Sequence, residues 1–169
     1  MINPQLNTDN FMKKILYVDM DNVLVDFSQE LEKRKLVKKE EIDEFVDGTE
    51  GLFLELKPMP GAVKAFNFLA KHFDTYILTT APWKNKSAWT DKRIWVEKYL
   101  SEAGIKKLII THNKGLNKGD YIIDDRLAKG VDKFEGEHIH FLTEKFPDWK
   151  SVLDYLCQKE SIGPIKKSL

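Results

Sequence analysis

The chain has 169 residues, enough to bury the core of one ordinary domain with a small inserted lobe. Lysine plus arginine equals aspartate plus glutamate at 27 each, so no net field draws it to nucleic acid polymers or anionic lipid. Its single cysteine, Cys157, excludes an intramolecular disulfide, and no apolar run approaches the roughly 20 residues of a membrane helix.

The polar start, residues 1–10, lacks a secretory pattern, which with the lone cysteine leads to a cytoplasmic protein. Residues 1–12 and 161–169 read as flexible ends. Residues 14–18 form a short apolar run of strand formers that halts at Asp19-Met20-Asp21. Residues 26–46 are rich in lysine and glutamate and read as two short helices, followed by the 51–56 segment and the turn Pro58-Met59-Pro60-Gly61. We take 26–56 as a small helical cap inserted after the first strand, with 13–25 and 57–160 forming the core. The charge run over 33–44 is then the solvated face of the cap helices.

Residues 61–72 carry Ala62, Ala65, Phe66 and Leu69 at helical spacing, and 87–103 carry Trp95, Val96, Tyr99 and Leu100. Apolar runs at 75–78, 107–110, 121–123 and 138–142 read as further strands, and 148–158 as a closing helix with Cys157 in its apolar pattern, a buried thiol. Alternating strand and helix predicts an α/β, Rossmann-like parallel sheet flanked by helices.

Ligands of open α/β sheets bind outside the carboxyl ends of the strands. Those ends carry Asp19 and Asp21, then Thr79 and Thr80, then Lys114, then Asp124 and Asp125. Hydrolysis of a phosphate monoester needs a nucleophile, a proton donor for the leaving oxygen, and positive charge against the phosphoryl anion. Mg²⁺ takes oxygen ligands from a few carboxylates and would let an acidic site accept that anion. The hydroxyls of Thr79 and Thr80 can donate to phosphate oxygens, and Lys92, in Trp89-Thr90-Asp91-Lys92, is a second basic candidate beside Lys114.

Each residue also has a plainer reading. Acids at strand ends cap helices, and one member of Asp124-Asp125 can do so; an isolated lysine is most often on the surface. His72, His138 and His140 show no metal-ligand spacing and read as surface or packing residues.

The order Asp19-Met20-Asp21-Asn22-Val23, Leu78-Thr79-Thr80, Lys114, Ile123-Asp124-Asp125 resembles the four motifs of haloacid dehalogenase-like phosphatases. The resemblance implies Asp19 as the phosphorylated nucleophile and Asp21 as general acid and base. It also implies Mg²⁺ held by Asp19, the backbone carbonyl of Asp21 and an acid of the Asp124/Asp125 pair. A narrower likeness is to the C-type 5′-nucleotidases that include the 5′(3′)-deoxyribonucleotidases. It rests on Val18-Asp19-Met20-Asp21 with Asp26-Phe27, Phe53-Leu54-Glu55-Leu56 before Pro58-Met59-Pro60-Gly61, Trp95-Val96-Glu97-Lys98-Tyr99, and Asp124-Asp125-Arg126. It implies a nucleoside monophosphate substrate, with Phe27 against the nucleoside. The chain departs from that pattern at Asn22, where glycine is usual, and at His112, where arginine precedes the motif lysine.

Other functions compete. A phospho-accepting signalling domain uses similar groups but puts its acidic pair after the first strand and its acceptor after a middle one, against the order here. A phosphatase of another small metabolite and a non-catalytic nucleotide-binding protein remain on the same fold.

Overall fold

A computed structural model describes residues 12–163; the expectations for residues 1–11 and 164–169 lie outside the described residues. The element order is β1 (Ile15–Val18), α1 (Phe27–Lys33), α2 (Lys39–Gly48), α3 (Leu52–Glu55), α4 (Ala62–His72), β2 (Asp74–Thr79), α5 (Ala88–Gly104), β3 (Leu108–Ile110), β4 (Tyr121–Asp124), β5 (Glu137–His140) and α6 (Trp149–Lys159).

The five strands form one sheet in the order β3-β2-β1-β4-β5, and every pairing is parallel. Its inner strands are buried on both faces, which is why they read as near-continuous apolar runs. The chain steps from β1 outward to β3, then returns to lay β4 on the other side of β1. The crevice at that reversal, between the ends of β1 and β4, is where such sheets bind ligands. Asp19 follows β1 there, Asp124 is the last residue of β4, and Asp125 comes next.

Helix α4 turns Ala62, Ala65, Phe66 and Leu69 onto the sheet, and α6 does the same with Trp149, Val152 and Leu156. Leu156 takes the core-facing position, so Cys157, about 100° further round the helix, is half-buried rather than fully buried. Asp148 caps α6 by accepting from the Ser151 backbone N–H, and Ser151 faces the Asp148 backbone N–H in return.

Residues 26–56 hold the two expected short helices and a third, α3. Neither α1 nor α2 has a fully buried residue, in keeping with their charge. By contrast α3 sinks Leu52 and Phe53, with Leu56 just after it, into the same apolar cluster as the sheet. Trp95 Nε1 donates to the Leu56 carbonyl at 2.8 Å, and buried Asn85 donates to the carbonyls of Val46 and Thr49, both at 2.8 Å. The foot of the helical insertion is therefore anchored in the core. Among the described residues no helix is long and apolar enough to cross a membrane.

Trp95→Phe keeps an aromatic ring in place but strands the buried Leu56 carbonyl, which costs about 1–3 kcal/mol. Urea unfolding should show that loss, and limited proteolysis should cut first around α3. A variant as stable as the parent would mean that this hydrogen bond does not anchor the insertion.

Candidate active site

Four segments meet at the carboxyl end of the sheet. Asp19 is fixed by its own strand: its backbone N–H donates to the Ile123 carbonyl at 2.9 Å, binding the exit of β1 to β4. Its side chain is buried, with Oδ1 at 2.7 Å from Lys114 Nζ. Lys114, only 3% exposed, also reaches Asp124 Oδ2 at 2.5 Å. One ammonium thus lies between two carboxylates.

Lys114 gets there through a short 3-10 turn, Lys114–Leu116, that is seated against another loop. The Lys114 backbone N–H donates to the Lys129 carbonyl at 2.7 Å, and Gly115 packs against Gly130 so closely that neither has room for a side chain. A Cβ on Gly130 would fall 2.3 Å from Asn113 Oδ1, and its φ of +85° is one that L side chains rarely adopt.

The acid pair at the end of β4 is divided. Asp124 is committed, accepting from Lys114 and, at 3.0 Å, from the Arg126 backbone N–H. Asp125 Oδ2 accepts from Asn22 Nδ2 at 3.2 Å, whereas its Oδ1 is buried without a hydrogen-bond partner; Arg126 Nε stands 3.5 Å away. Asp19 Oδ2 is likewise buried and unpartnered. Carboxylate oxygens of Asp19, Asp124 and Asp125 lie within 4.8 Å of one another.

Burial, and then the charge of Asp19, push Asp124 up to about 7 despite Lys114. The same two causes raise Asp125. Burial alone would push the Lys114 ammonium down, but Asp19 and Asp124 outweigh it and raise it. The cluster therefore holds surplus negative charge, and it includes two oxygens, Asp19 Oδ2 and Asp125 Oδ1, that are buried without a hydrogen-bond partner. That is the donor set a hard divalent cation takes.

Asp21, two residues after Asp19, has a cation of its own. Both its oxygens accept from Lys92 Nζ at 2.8 Å, and that ammonium also donates to Thr79 Oγ1 at 3.1 Å. Lys92 is 0% exposed, on the first turns of α5, and lies 4.4 Å above the Phe53 ring. Phe53 in turn stacks on Phe27, with centroids 6.4 Å apart and planes 9° from parallel. Phe27 thus packs the start of α1 onto the core while remaining partly exposed at the rim. The two threonines differ. Thr79 is buried beside Lys92, whereas Thr80 donates its hydroxyl proton to the Thr111 carbonyl at 2.8 Å and so braces β2 against the segment after β3.

Of the residues singled out from the sequence, Lys114 joins Asp19 to Asp124 and Lys92 joins Asp21 to Thr79, whereas Thr80 turns to Thr111 and Phe27 meets Phe53; the structure also adds others. Asn22, at φ 59°, occupies the left-handed turn after Asp21 and reaches Asp125. His138 and His140, which read as surface or packing residues, stack on each other and place Nε2 at 3.0 Å from the backbone carbonyls of Asp124 and Asp125. Burial lowers the His138 pKa, which favours the neutral ring. Their alternate positions on β5 could have flagged a shared face, but nothing local indicates that the face meets the acid pair.

Similarity to known proteins agrees with this geometry. A Vibrio phage KVP40 protein, provisionally named a 5′(3′)-deoxyribonucleotidase, is 52% identical over 147 residues, covering 87% of this chain and 86% of its own. The human cytosolic-type 5′(3′)-deoxyribonucleotidase is 30% identical over 114 residues, 66% of this chain and 51% of that one. The chain therefore matches about half the length of the human relative. A crystal structure of YfnB from Bacillus subtilis, provisionally assigned as a HAD-hydrolase and bound to magnesium, shares the fold with a TM-score of 0.52 at 13% identity, over 81% of this chain and 90% of that one. The family described as 5′ nucleotidase, deoxy (pyrimidine), cytosolic type C protein matches residues 28–146, and this chain belongs to it.

Proposed function

We propose that this protein is a Mg²⁺-dependent phosphomonoesterase that dephosphorylates deoxynucleoside 5′-monophosphates through an aspartyl-phosphate on Asp19. One observation carries the reading: a buried Asp19 whose Oδ1 is held by Lys114 and whose Oδ2 is unpartnered, in a carboxylate cluster where Asp125 also keeps an unpartnered oxygen. The substrate class follows from the names of the relatives in Vibrio phage KVP40 and human. The human relative's cytosolic name and the lone Cys157 support a cytoplasmic location.

Asp19 and Asp125 would hold the cation through their free oxygens, with the Asp21 backbone carbonyl as the resemblance implies. Bound there, Mg²⁺ offsets the charge of the phosphoryl group that the carboxylates would otherwise repel. Asp124 serves mainly to hold Lys114 against Asp19. Lys114, Lys92 and Thr79 supply donors for the phosphoryl oxygens, and Phe27 offers an apolar face to the nucleoside.

An Asp19 carboxylate oxygen attacks phosphorus while the bond to the sugar oxygen breaks, and Asp21 in its acid form gives that oxygen a proton. Asp21, now a carboxylate, takes a proton from water; the hydroxide attacks phosphorus and the bond to Asp19 breaks. Phosphate leaves, and Asp19 is restored.

Asp19→Asn should lower turnover by several decades, on the order of 5 kcal/mol or more in the barrier. Asp21→Asn with an activated aryl phosphate should accumulate phosphoenzyme, detectable by mass spectrometry on the Asp19 peptide after acid quench. Near-normal turnover in Asp19→Asn would sink the mechanism.

The acid pair makes a sharper distinction. Asp125→Asn should abolish calorimetric Mg²⁺ binding, whereas Asp124→Asn should keep some of it and chiefly release Lys114. Equal losses would return both acids to the ion.

Mg²⁺ binding should also weaken on acidification, because the Asp125 carboxyl, which burial and the charge of Asp19 make harder to ionise, must be deprotonated to hold the ion. Without metal the sign on stability is reversed. Unfolded Asp124 ionises near pH 4 but the folded residue only near pH 7, so between those values the unfolded chain holds fewer protons. Rising pH therefore favours unfolding across that window, by on the order of 3 kcal/mol from Asp124. Urea midpoints at pH 5 and 7.5, with and without Mg²⁺, test both signs.

A further inference from the structure

Asn22 does more than close a turn. Its backbone is left-handed at φ 59°, a conformation asparagine tolerates better than most residues and glycine takes freely. The backbone requirement alone therefore does not call for this side chain. What distinguishes it is its pair of partners. Asn22 Nδ2 donates to Asp125 Oδ2 at 3.2 Å, 103 residues away in sequence. Asn22 Oδ1 accepts from the Ser28 backbone N–H at 2.9 Å and from the Ser28 hydroxyl at 2.8 Å. The amide can point only one way in this setting: Ser28 offers a backbone N–H that must donate, and a carboxylate accepts.

Two consequences follow from that bridge. Asp125 has one oxygen held by Asn22, which leaves the other buried and unpartnered in a carboxylate clustered with Asp19. Ser28 follows Phe27, the first residue of α1, so the same amide also fixes the entry of the helical insertion. A group that tightens Asp125 must then tighten the first turn of α1, and the reverse must hold to the same degree.

We infer that Asn22 is a positioning residue that joins the Asp125 carboxylate and the first turn of α1 into one hydrogen-bonded unit, coupling divalent-cation binding to the order of the Phe27 wall. This rests on the reading of Asp19 and Asp125 as cation ligands.

The test uses the full chain without substrate, so activity plays no part. Calorimetry gives the Mg²⁺ affinity, and hydrogen exchange gives the protection of the Ser28 and Gln29 amides with and without Mg²⁺. In the parent protein saturating Mg²⁺ should slow exchange at the start of α1 severalfold. Asn22→Gly, which keeps the backbone conformation available, should weaken Mg²⁺ binding about tenfold and remove the Mg²⁺-dependent slowing. Ser28→Ala leaves the bond to Asp125 untouched and should bind Mg²⁺ within about twofold of the parent. If Asn22→Gly does not fold, Asn22→Ser, too short to span both partners, serves the same comparison.

Mg²⁺ affinity unchanged in Asn22→Gly, or slowing that persists in it, overturns the inference and leaves the cation reading intact. A lowered melting temperature with both readouts unchanged makes Asn22 a turn residue only. Absence of Mg²⁺ binding in the parent overturns the cation reading and this inference with it.

Discussion

The buried ammonium of Lys114 is the interaction on which the rest of the site depends. Three carboxylates stand with oxygens inside 4.8 Å of one another, and like charges at that distance repel by about 3 kcal/mol per pair even at an effective dielectric near 20. Lys114 offsets much of this by contacting two of them, and Lys92 does the same for Asp21. The compensation is incomplete, because Asp124 and Asp125 remain harder to ionise than free carboxylates. A fully neutralised cluster would be a structural ion-pair network; one that retains excess negative charge and two orphaned oxygens suits a cation.

Holding Lys114 there shapes the fold around it. Two glycines in contact let the 3-10 turn sit on the 129–130 loop, and the reversal of strand order puts β4 beside β1, so that Asp19 and Asp124 face each other across one crevice. His138 and His140 add contacts from β5 to the carbonyls of the acid pair. The carboxylates are thus set by strands and their neighbours, with little reliance on mobile loops, which suits geometry needed to within a fraction of an ångström.

The helical insertion shows a second constraint. Its outer helices are polar, yet α3 is part of the core cluster; Leu56, just after it, is tied to α5 through Trp95, and the end of α2 is tied to the loop before α5 through Asn85. Phe27, Phe53 and Lys92 continue that contact to Asp21. The insertion and the Asp21 side of the site therefore share side chains, and substitutions at Phe53 or Lys92 touch both.

Much was legible in the sequence because it is local. The predicted strands lie within two residues of the observed ones, since buried parallel strands are short apolar runs whatever their neighbours, and α4, α5 and α6 follow from spacing within a few turns. The acids, threonines and lysine at the strand ends are visible for the same reason. Pairing across the sheet is not. Asp21 with Lys92 is separated by 71 residues and Asn22 with Asp125 by 103. Nor could spacing say that Asp124 is committed to Lys114 while Asp125 keeps a free oxygen, or that Thr80 spends its proton on Thr111. Local periodicity reports which residues are buried and where each strand stops; which strand ends become neighbours, and so which charges meet, is settled only when the chain reverses its strand order and desolvates them together.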